Sequence, residues 1–314
     1  MLPDRNLYPP LTQSGRIFTP DDLELICSTV TSRDGLTRNE LVQTLCELLD
    51  WTTATGRPKL DACQKLLVKL EKQGRVRLPA KRVYKTYSGS EVRRVYSRET
   101  QPDIEWRGRL KDVGEVSLEL VQSRPRTRLW NEYVDRYHYL GYQRPFGCTL
   151  RYFIGCERGL AGCILLAGAA KAIAVRDRWI GWSEHERLQN LAWVVNNTRF
   201  VIFPWARIEH LASHVLGQVA RRVRKDWEQV WGYQPVLLET FVDPERFLGT
   251  SYRAAGWLDL GLTCGKGLAR PGRRYTSTPK KIFVRPLVTE FRAQLCGGVL
   301  REAKGRMSLV EEGL

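Results

Sequence analysis

The sequence predicts an α/β (α+β) protein in which a small helical domain is followed by a larger domain built on a mixed sheet. Three observations support this prediction. The length of 314 residues suits about two domains. Residues 20–79 contain three apolar patterns with helical spacing. Residues 113–290 alternate strand-like and helix-like segments, as α/β domains do.

The first segment, 20–79, carries clear helix-boundary signals. Thr19 followed by Pro20 marks the start of one helix, and Thr37 with Glu40 forms a capping box at the start of a second. A third helix is expected to end near Gly74, with a short strand at 75–79. Three short helices followed by a strand are typical of a winged helix, in which the third helix is the recognition helix.

The third helix is strongly basic. Residues 56–77 contain seven basic and two acidic side chains, a net charge of +5. Cations on one face suit contacts with nucleic-acid phosphates, and the alternative is a solvated face of a protein-interaction module. The candidate nucleic-acid contacts in this region are Arg57, Lys59, Lys65, Lys69, Arg75 and Arg77.

A basic linker rich in Arg, Tyr and Ser is expected at 80–112, and it precedes the second domain. Within 113–290 we predict strands at 116–121, 148–154, 160–167, 198–203, 235–242 and 281–284. We predict helices at 124–138 and 211–227 and a helical turn at 251–256. A C-terminal tail, 291–314, is expected to begin with a helix.

The chain contains a set of specific motifs in both predicted domains. They include Tyr137-His138-Tyr139-Leu140-Gly141-Tyr142, Arg176-Asp177-Arg178-Trp179-Ile180-Gly181-Trp182, Asn196-Asn197-Thr198-Arg199-Phe200, Leu238-Glu239-Thr240-Phe241-Val242-Asp243, and Leu45-Cys46-Glu47 with Gly56-Arg57-Pro58-Lys59. Together these motifs resemble the DruA family of Druantia anti-phage defence systems. The resemblance covers roughly 20–290. It implies a role in prokaryotic antiviral defence or on mobile DNA, and it assigns no chemistry to particular residues.

The order of elements also resembles a GNAT-type (N-acyltransferase) fold. In such enzymes a glycine-containing loop before a long helix holds the pyrophosphate of the acyl donor at the helix N-terminus. The corresponding segment here is Arg207-Ile208-Glu209-His210-Leu211-Ala212. His210 replaces the central glycine and Glu209 would repel a phosphate. The sequence therefore argues against acetyl-CoA as a cofactor.

Six residues are candidates for catalysis. His138 and Tyr139 lie in an aromatic string and are suited to base, acid or nucleophile roles. Asp177, Glu239 and Asp243 are carboxylates of the kind that bind Mg²⁺ in phosphodiester-cleaving enzymes. Tyr252 completes the set. The alternative is structural: a buried aromatic cluster around His138, and carboxylates paired with neighbouring arginines. Mg²⁺ is a possible cofactor, whereas the histidine pair His210 and His214 has no evident third ligand for a metal.

Further nucleic-acid contacts are predicted in the second domain. Residues 265–285 contain seven basic side chains and no acidic one, a net charge of +7. A loop of this kind could close over phosphates, or be a solvated loop. The candidates in this domain are Arg176, Arg199, Lys266, Arg273, Arg274, Lys280 and Lys281.

Composition limits the class of protein. The longest apolar run, 160–175, is interrupted by Lys171 and is shorter than the roughly 20 residues of a membrane span. The eight cysteines contain no C-x-x-C pair, and no signal-peptide pattern is seen, so we expect a cytoplasmic location. The net charge of +16 suits nucleic acid, an anionic membrane surface or an acidic protein as the partner. Its concentration in residues 56–77 and 265–285 favours nucleic acid, and we expect DNA rather than RNA.

Three functions remain open on the sequence. The first is recognition or processing of DNA, with cleavage or strand transfer as the reaction. The second is an acyl- or aminoacyl-transferase that uses the GNAT-like cleft. The third is a non-catalytic adaptor that loads a partner, such as a defence helicase, onto DNA.

Overall fold

The computed structural model describes residues 10–32, 36–54, 56–80, 96–145, 147–265 and 278–297. The chain divides into two compact units, Met1–Val92 and Arg93–Leu314. Three predicted nucleic-acid contacts, Lys266, Arg273 and Arg274, lie outside the described residues, as do most of the predicted linker before 96 and the tail after 297.

The first unit consists of a small hairpin followed by three helices. Its elements are β1 (Leu11–Gln13), β2 (Arg16–Phe18), α1 (Pro20–Ser32), α2 (Arg38–Leu48) and α3 (Leu60–Lys72). The three helices were predicted, and the hairpin was not. The predicted strand at 75–79 is wrong, because these residues pair with no other strand among the described residues.

The helix boundaries of this unit follow from local hydrogen bonds. The Thr37 hydroxyl accepts a bond from the Glu40 amide, and the Glu40 carboxylate accepts one from the Thr37 amide, so the predicted capping box is confirmed. Gly74 has a φ of +70° just after α3. The apolar faces of the helices pack with Phe18 and Trp51 into one core.

The second unit contains nine strands and six helices in the described residues. They are β3 (Trp106–Arg109), β4 (Ser117–Leu120), α4 (Arg124–Tyr137), β5 (Thr149–Cys156), β6 (Gly159–Gly168), α5 (Ala174–Ile180), α6 (Glu184–Asn190), β7 (Val194–Ile202), β8 (Ala206–Glu209), α7 (Leu211–Trp231), β9 (Leu237–Val242), α8 (Thr250–Ala254), β10 (Leu258–Leu262), β11 (Lys281–Pro286) and α9 (Phe291–Cys296).

Seven of these strands form one mixed sheet in the order β10-β11-β9-β7-β6-β5-β4. Every neighbouring pair is antiparallel except β7 and β9, which are parallel. The long helix α7 connects these two strands, as a parallel pair requires a crossover. This mixed α/β arrangement agrees with the predicted GNAT-like domain.

Burial explains why α7 lies against the sheet. Its inward residues, Leu211, Val215, Leu216, Val219, Val223 and Trp227, recur at helical spacing and are at most 2% exposed. Asp226 is buried on the same helix and accepts a 2.8 Å hydrogen bond from the Tyr152 hydroxyl of β5. The helix is therefore fixed to the sheet by apolar packing and by one buried polar contact.

Residues 96–112 differ from the extended linker expected there, because they carry short elements of the second unit. The hydroxyls of Tyr133 and Tyr137 donate 2.6 Å hydrogen bonds to the carbonyls of Glu99 and Thr100. Strand β3 pairs in parallel with β8. In the part of the chain that the structure describes, no helix combines the length and apolar character needed to cross a bilayer.

Candidate functional site

A cavity opens where the two parallel strands of the sheet diverge. β7 and β9 pair only from Val194 opposite Leu237 to Asn197 opposite Thr240, after which β7 follows β6 and β9 follows β11. The β6–β7 register shifts at this point, which makes Thr198 the extra residue of a β-bulge. A bulge bends its strand and ends local pairing, so β7 and β9 separate at this point and leave a gap in the sheet.

The cavity has a volume of about 510 Å³. Its walls come from the end of α4 and the turn after it, the diverging ends of β7 and β9, and the segment leading into α8. Four of the six predicted catalytic residues line it: His138, Tyr139, Asp243 and Tyr252. The structure therefore brings together residues that lie more than 100 positions apart in the sequence.

His138 is held as a neutral imidazole in the wall of this cavity. Burial, together with the nearby charge of Arg199, lowers its pKa to about 4. Its Nδ1 atom accepts a 3.2 Å hydrogen bond from the Leu140 amide, which places the ring proton on Nε2. The ring can therefore donate a hydrogen bond to a ligand but is poorly suited to accept a proton.

Neutral polar groups lie deeper in the cavity, around Tyr252. The Asn197 amide oxygen accepts a 3.0 Å hydrogen bond from the Tyr252 hydroxyl, while its amide nitrogen donates to the Arg199 carbonyl at 2.9 Å. The Thr240 hydroxyl lies 3.4 Å from the Tyr252 oxygen. Burial raises the pKa of Tyr252 to about 12, so the phenol keeps its proton at neutral pH.

Exposed aromatic and apolar side chains form the rim. Tyr139 stacks on His138 with 4.9 Å between ring centroids, and Phe247 lies 5.6 Å from Tyr139. Phe247 is 51% exposed and Leu248 is 68% exposed. The Arg246 guanidinium lies 5.1 Å from the centre of the Tyr139 ring. Large apolar surfaces of this kind, beside a cavity, mark a binding site.

Asp243 stands at the edge of the cavity and is already paired. Its carboxylate accepts a 2.6 Å bond from the Lys280 ammonium and a 3.2 Å bond from the Glu245 amide. The Lys280 hydrogen bond lowers the pKa of Asp243. Lys280 is thus occupied by a carboxylate, and its neighbour Lys281 begins β11 with a half-buried side chain.

Asp177 and Glu239 do not join the cavity. The Arg176 guanidinium binds Glu239 at 2.7 Å and Asp177 at 2.8 Å, and the Glu239 carboxylate also accepts the Ala170 amide at 2.9 Å. The side chains of Arg176 and Glu239 are 0% exposed. The prediction that Arg176 contacts nucleic acid is therefore wrong, and the two carboxylates belong to a buried ion-pair network.

Arg199 lies next to the cavity and retains an uncompensated charge. Its Nε atom donates to the Gly141 carbonyl at 3.0 Å and its Nη1 atom to the Thr198 carbonyl at 2.7 Å. Burial lowers the pKa of Arg199. No carboxylate among the described residues lies within ion-pairing distance of it, nor of Arg246 on the rim. Two arginines at one cavity favour an anionic group on the ligand.

The predicted carboxylate site for Mg²⁺ is not formed by the residues present. Asp177 and Glu239 neutralise Arg176, whereas Asp243 lies at the cavity and pairs with Lys280. Within the described ranges no group of three or more His, Cys, Asp and Glu side chains is placed to hold a metal ion.

The segment that would hold the pyrophosphate of an acyl donor has another use in this chain. Residues 206–209 form β8, whose backbone pairs with β3 rather than forming an open loop. His210 follows in the left-handed conformation, with a φ of +62°, at the start of α7. Glu209 forms an ion pair with Arg109. These residues do not fit a coenzyme A pyrophosphate.

In the first unit, α3 carries the predicted cationic face. Lys65, Lys69 and Lys72 are exposed, while Cys63, Leu66, Leu67 and Leu70 of the same helix are buried. Arg57 and Arg77 are exposed at the two ends of the helix, and Lys59 and Arg75 are half-buried. The structure thus separates a basic face from an apolar one, as the sequence pattern predicted.

Comparison with known families identifies the chain. The family described as Druantia protein DruA matches residues 69–271, which is more than half of the sequence. The chain belongs to the DruA family. The match extends from α3 of the first unit through the entire cavity of the second. No curated protein matches this DruA-family chain.

Several solved structures are similar to part of this DruA-family chain. An acetyltransferase from Bacillus subtilis in complex with CoA has 9% identity and a TM-score of 0.32, covering 55% of this chain and 100% of that chain. FeeM, an N-acyl amino acid synthase from uncultured soil microbes, has 14% identity and a TM-score of 0.32, covering 57% and 94%.

An aminoglycoside acetyltransferase in complex with coenzyme A and kanamycin has 13% identity and a TM-score of 0.35, covering 54% of this chain and 95% of that chain. Scores of this size carry no inference about chemistry. The description of the DruA-family chain as a mixed α/β fold rests on the strand order of its own sheet.

Sequence reasoning missed part of the cavity. Asn197 and Thr240 were quoted only within motifs, and Phe247 was not singled out. Asn197 and Thr240 stand at the last paired positions of β7 and β9. Polar residues inside two strands that begin and end with apolar residues would have been a usable signal.

Proposed function

We propose that this DruA-family chain is a DNA-binding component of anti-phage defence, and that its first unit docks on DNA as a winged-helix-type module. The exposed basic face of α3 is the observation that carries the proposal. Lys65, Lys69 and Lys72 follow one another at intervals of one helical turn. None of the three forms an ion pair with another described residue, so their charges are available to a ligand.

The dimensions of the helix suit this role. An α-helix fits the major groove of B-form DNA, and lysines along its exposed face reach the flanking phosphates. The opposite face of α3 is fixed by the core of the unit, so the lysines are presented on a rigid support. Arg57 and Arg77 extend the cationic surface beyond both helix ends.

The proposal is recognition rather than cleavage. Glu239 and Asp177 are occupied by Arg176, and Asp243 by Lys280. His138 is neutral, with its Nδ1 atom bonded to the backbone. The three predicted carboxylates and the Nδ1 atom of His138 are therefore each engaged in a structural contact. These contacts favour a protein that binds and presents nucleic acid, for example to a helicase partner.

The experiment compares two triple variants by titrating a labelled DNA duplex. The first replaces Lys65, Lys69 and Lys72 by Gln. The second replaces three exposed cations of the other unit, Lys111, Arg158 and Lys225, by Gln, which changes the net charge equally. We expect the α3 variant to weaken binding at least about 10-fold near 0.1 M salt, and the control less than about 3-fold.

Equal weakening by the two variants would show that total charge, not α3, drives binding. An absence of wild-type binding at low salt would remove the proposal altogether.

A second candidate, acyl or aminoacyl transfer, is favoured by the position of the cavity between the diverging parallel strands. The β8–β3 pairing disfavours coenzyme A as the donor, so this candidate requires a donor bound in another way. Calorimetry with acetyl-CoA tests the coenzyme A-dependent form of this candidate, and we expect no heat of binding; a measurable heat would contradict the interpretation of the β8–β3 pairing.

A further inference from the structure

We propose that the cavity between β7 and β9 binds an unpaired nucleobase of a single-stranded nucleic acid. This inference rests on the proposed function in that the ligand is nucleic acid, but it concerns a different surface from α3. It assigns the second unit the task of distinguishing single strands from duplex.

The size of the cavity suits one nucleotide. Sites for small molecules range from about 300 to 1,000 Å³, and this one has about 510 Å³. A duplex cannot enter a space of this size. An unpaired base can, because enzymes and single-strand binders take bases out of the stack into pockets of this kind.

The polar groups in the cavity match the edge of a base. The groups around Tyr252 are neutral, and because Asn197 and Thr240 already donate to backbone carbonyls, they can offer a ligand only oxygen acceptors. The neutral His138 ring can donate from Nε2. Thr198 of the bulge is one of the lining residues, and its hydroxyl is buried without a hydrogen-bond partner in the described structure. Base edges are neutral arrays of donors and acceptors, which such groups recognise.

The rim supplies stacking surfaces. Tyr139 is 39% exposed and Phe247 is 51% exposed, and their ring centroids lie 5.6 Å apart at the mouth. Bases stack on exposed aromatic rings of single-strand-binding proteins without regard to sequence. Exposed aromatic rings cost solvation unless a ligand covers them, so their position at the mouth favours a flat, aromatic ligand.

The positive charge beside the cavity favours a nucleotide over an acyl chain as its ligand. Neither Arg199 beside His138 nor Arg246 over Tyr139 forms an ion pair within 4 Å among the described residues, and the nearby Asp243 carboxylate binds Lys280. An apolar chain would leave these cations unused. A nucleotide places its base among the neutral groups and its phosphate near the arginines, so both halves of the site have a counterpart.

The first test locates the base in the full-length protein. A single-stranded oligonucleotide of about 12 nucleotides, carrying one 5-iododeoxyuridine, is photocross-linked to the protein and the linked peptide is sequenced. We expect cross-links at 137–140 or 247–252. Cross-links confined to the first unit would overturn the inference and leave the proposed function standing.

The second test measures affinity for the same oligonucleotide and for a duplex. Tyr139→Leu and Phe247→Leu remove stacking but keep an apolar side chain, Tyr139→Phe restores the ring, and Ile104→Ala alters an exposed apolar residue elsewhere. We expect the Leu variants to weaken single-strand binding about 5- to 100-fold, with duplex binding, the Phe variant and the Ile104 control unchanged.

Other outcomes separate the two proposals. Cross-links in the cavity, together with unchanged duplex binding by the α3 variant, would support this inference. They would contradict the proposal that α3 docks on DNA. Unchanged single-strand affinity in both Leu variants would overturn the inference. Displacement of an anthracene-labelled fatty acid from the cavity, without any effect of the oligonucleotide, would do the same and favour an acyl ligand.

Discussion

The His138 ring shows how one contact changes the chemistry that a residue offers. Its place in an aromatic string suggested a general base. Burial and the Arg199 charge instead keep it neutral, and the hydrogen bond from the Leu140 amide to Nδ1 leaves the ring proton on Nε2. The structural alternative to a general base, a hydrogen-bonded histidine in a buried aromatic cluster, describes the surroundings of His138 well. The sequence could not show that the Nε2 atom of His138 carries the proton and can donate to a ligand.

The depressed pKa of His138 predicts a pH dependence of stability. Between the unfolded pKa near 6.5 and the folded value of about 4, the unfolded chain binds more protons. The contribution of the neutral ring is therefore present above pH 6.5 and is lost as the pH falls toward 4. Its slope is at most about 1.4 kcal/mol per pH unit, and less because the ring is partly exposed.

Urea unfolding of wild type and His138→Gln from pH 4.5 to 7 measures this slope. We expect the variant to show a shallower loss of stability at low pH, whereas the exposed His185→Gln should behave as wild type. If the free energy of unfolding had the same pH dependence in all three proteins, the lowered pKa of His138 would be contradicted.

The buried guanidinium of Arg176 predicts a large loss of stability on substitution. Arg176→Met leaves Glu239 as an uncompensated buried charge, which should cost about 3–5 kcal/mol in the free energy of unfolding. The exposed neighbour Arg178→Met should change it by less than about 0.5 kcal/mol. Denaturant unfolding checks both values. A double variant, Arg176→Met with Glu239→Leu, should recover part of the loss.

At the scale of elements, strands and helices with strong periodicity were predicted well. The prediction of 124–138 for a helix agrees with α4, and 160–167 agrees with β6. The short elements β3 and β8 were missed because each is stabilised by pairing with the other, about 100 positions away, and not by a local pattern. The extra length of β7, from Val194, was missed for a similar reason.

Two glycines of the second unit, Gly232 and Gly249, allow a matched test of packing at the cavity. Gly249 and Gly232 both have a φ of +79°. A Cβ at Gly249 would lie 2.4 Å from the Phe283 ring, whereas one at Gly232 would meet nothing within 4 Å. We expect Gly232→Ala to cost about 1 kcal/mol, and Gly249→Ala to cost about 1–3 kcal/mol more. Thermal unfolding measures the difference, and equal losses would contradict it.

At the scale of the whole molecule, the charge of +16 predicts strong salt dependence of nucleic-acid binding. Each phosphate contact contributes a slope of about −0.9 to the logarithm of affinity against that of salt concentration for duplex DNA. Replacing Lys65, Lys69 and Lys72 by Gln should therefore reduce the slope by roughly 2 to 3. Binding isotherms at several salt concentrations measure it, and an unchanged slope would place the phosphate contacts elsewhere.

The sequence predicted the order of the main elements, the α3 face and four cavity residues, because these depend on periodicity, caps and residue type. It could not predict which carboxylates share a site. Glu239 and Thr240 are adjacent in β9, and successive strand residues face opposite sides of a sheet. Thr240 consequently contacts Tyr252 in the cavity, while Glu239 reaches Arg176.

The short pairing between β7 and β9 also gives the sheet a mechanical character. Four residue pairs join these strands, compared with seven between β6 and β7 and six between β9 and β11. The sheet is therefore two antiparallel blocks joined by a narrow parallel seam. A force that separates the blocks, or a ligand that draws them together, acts on a hinge line that runs through Asn197 and Thr240.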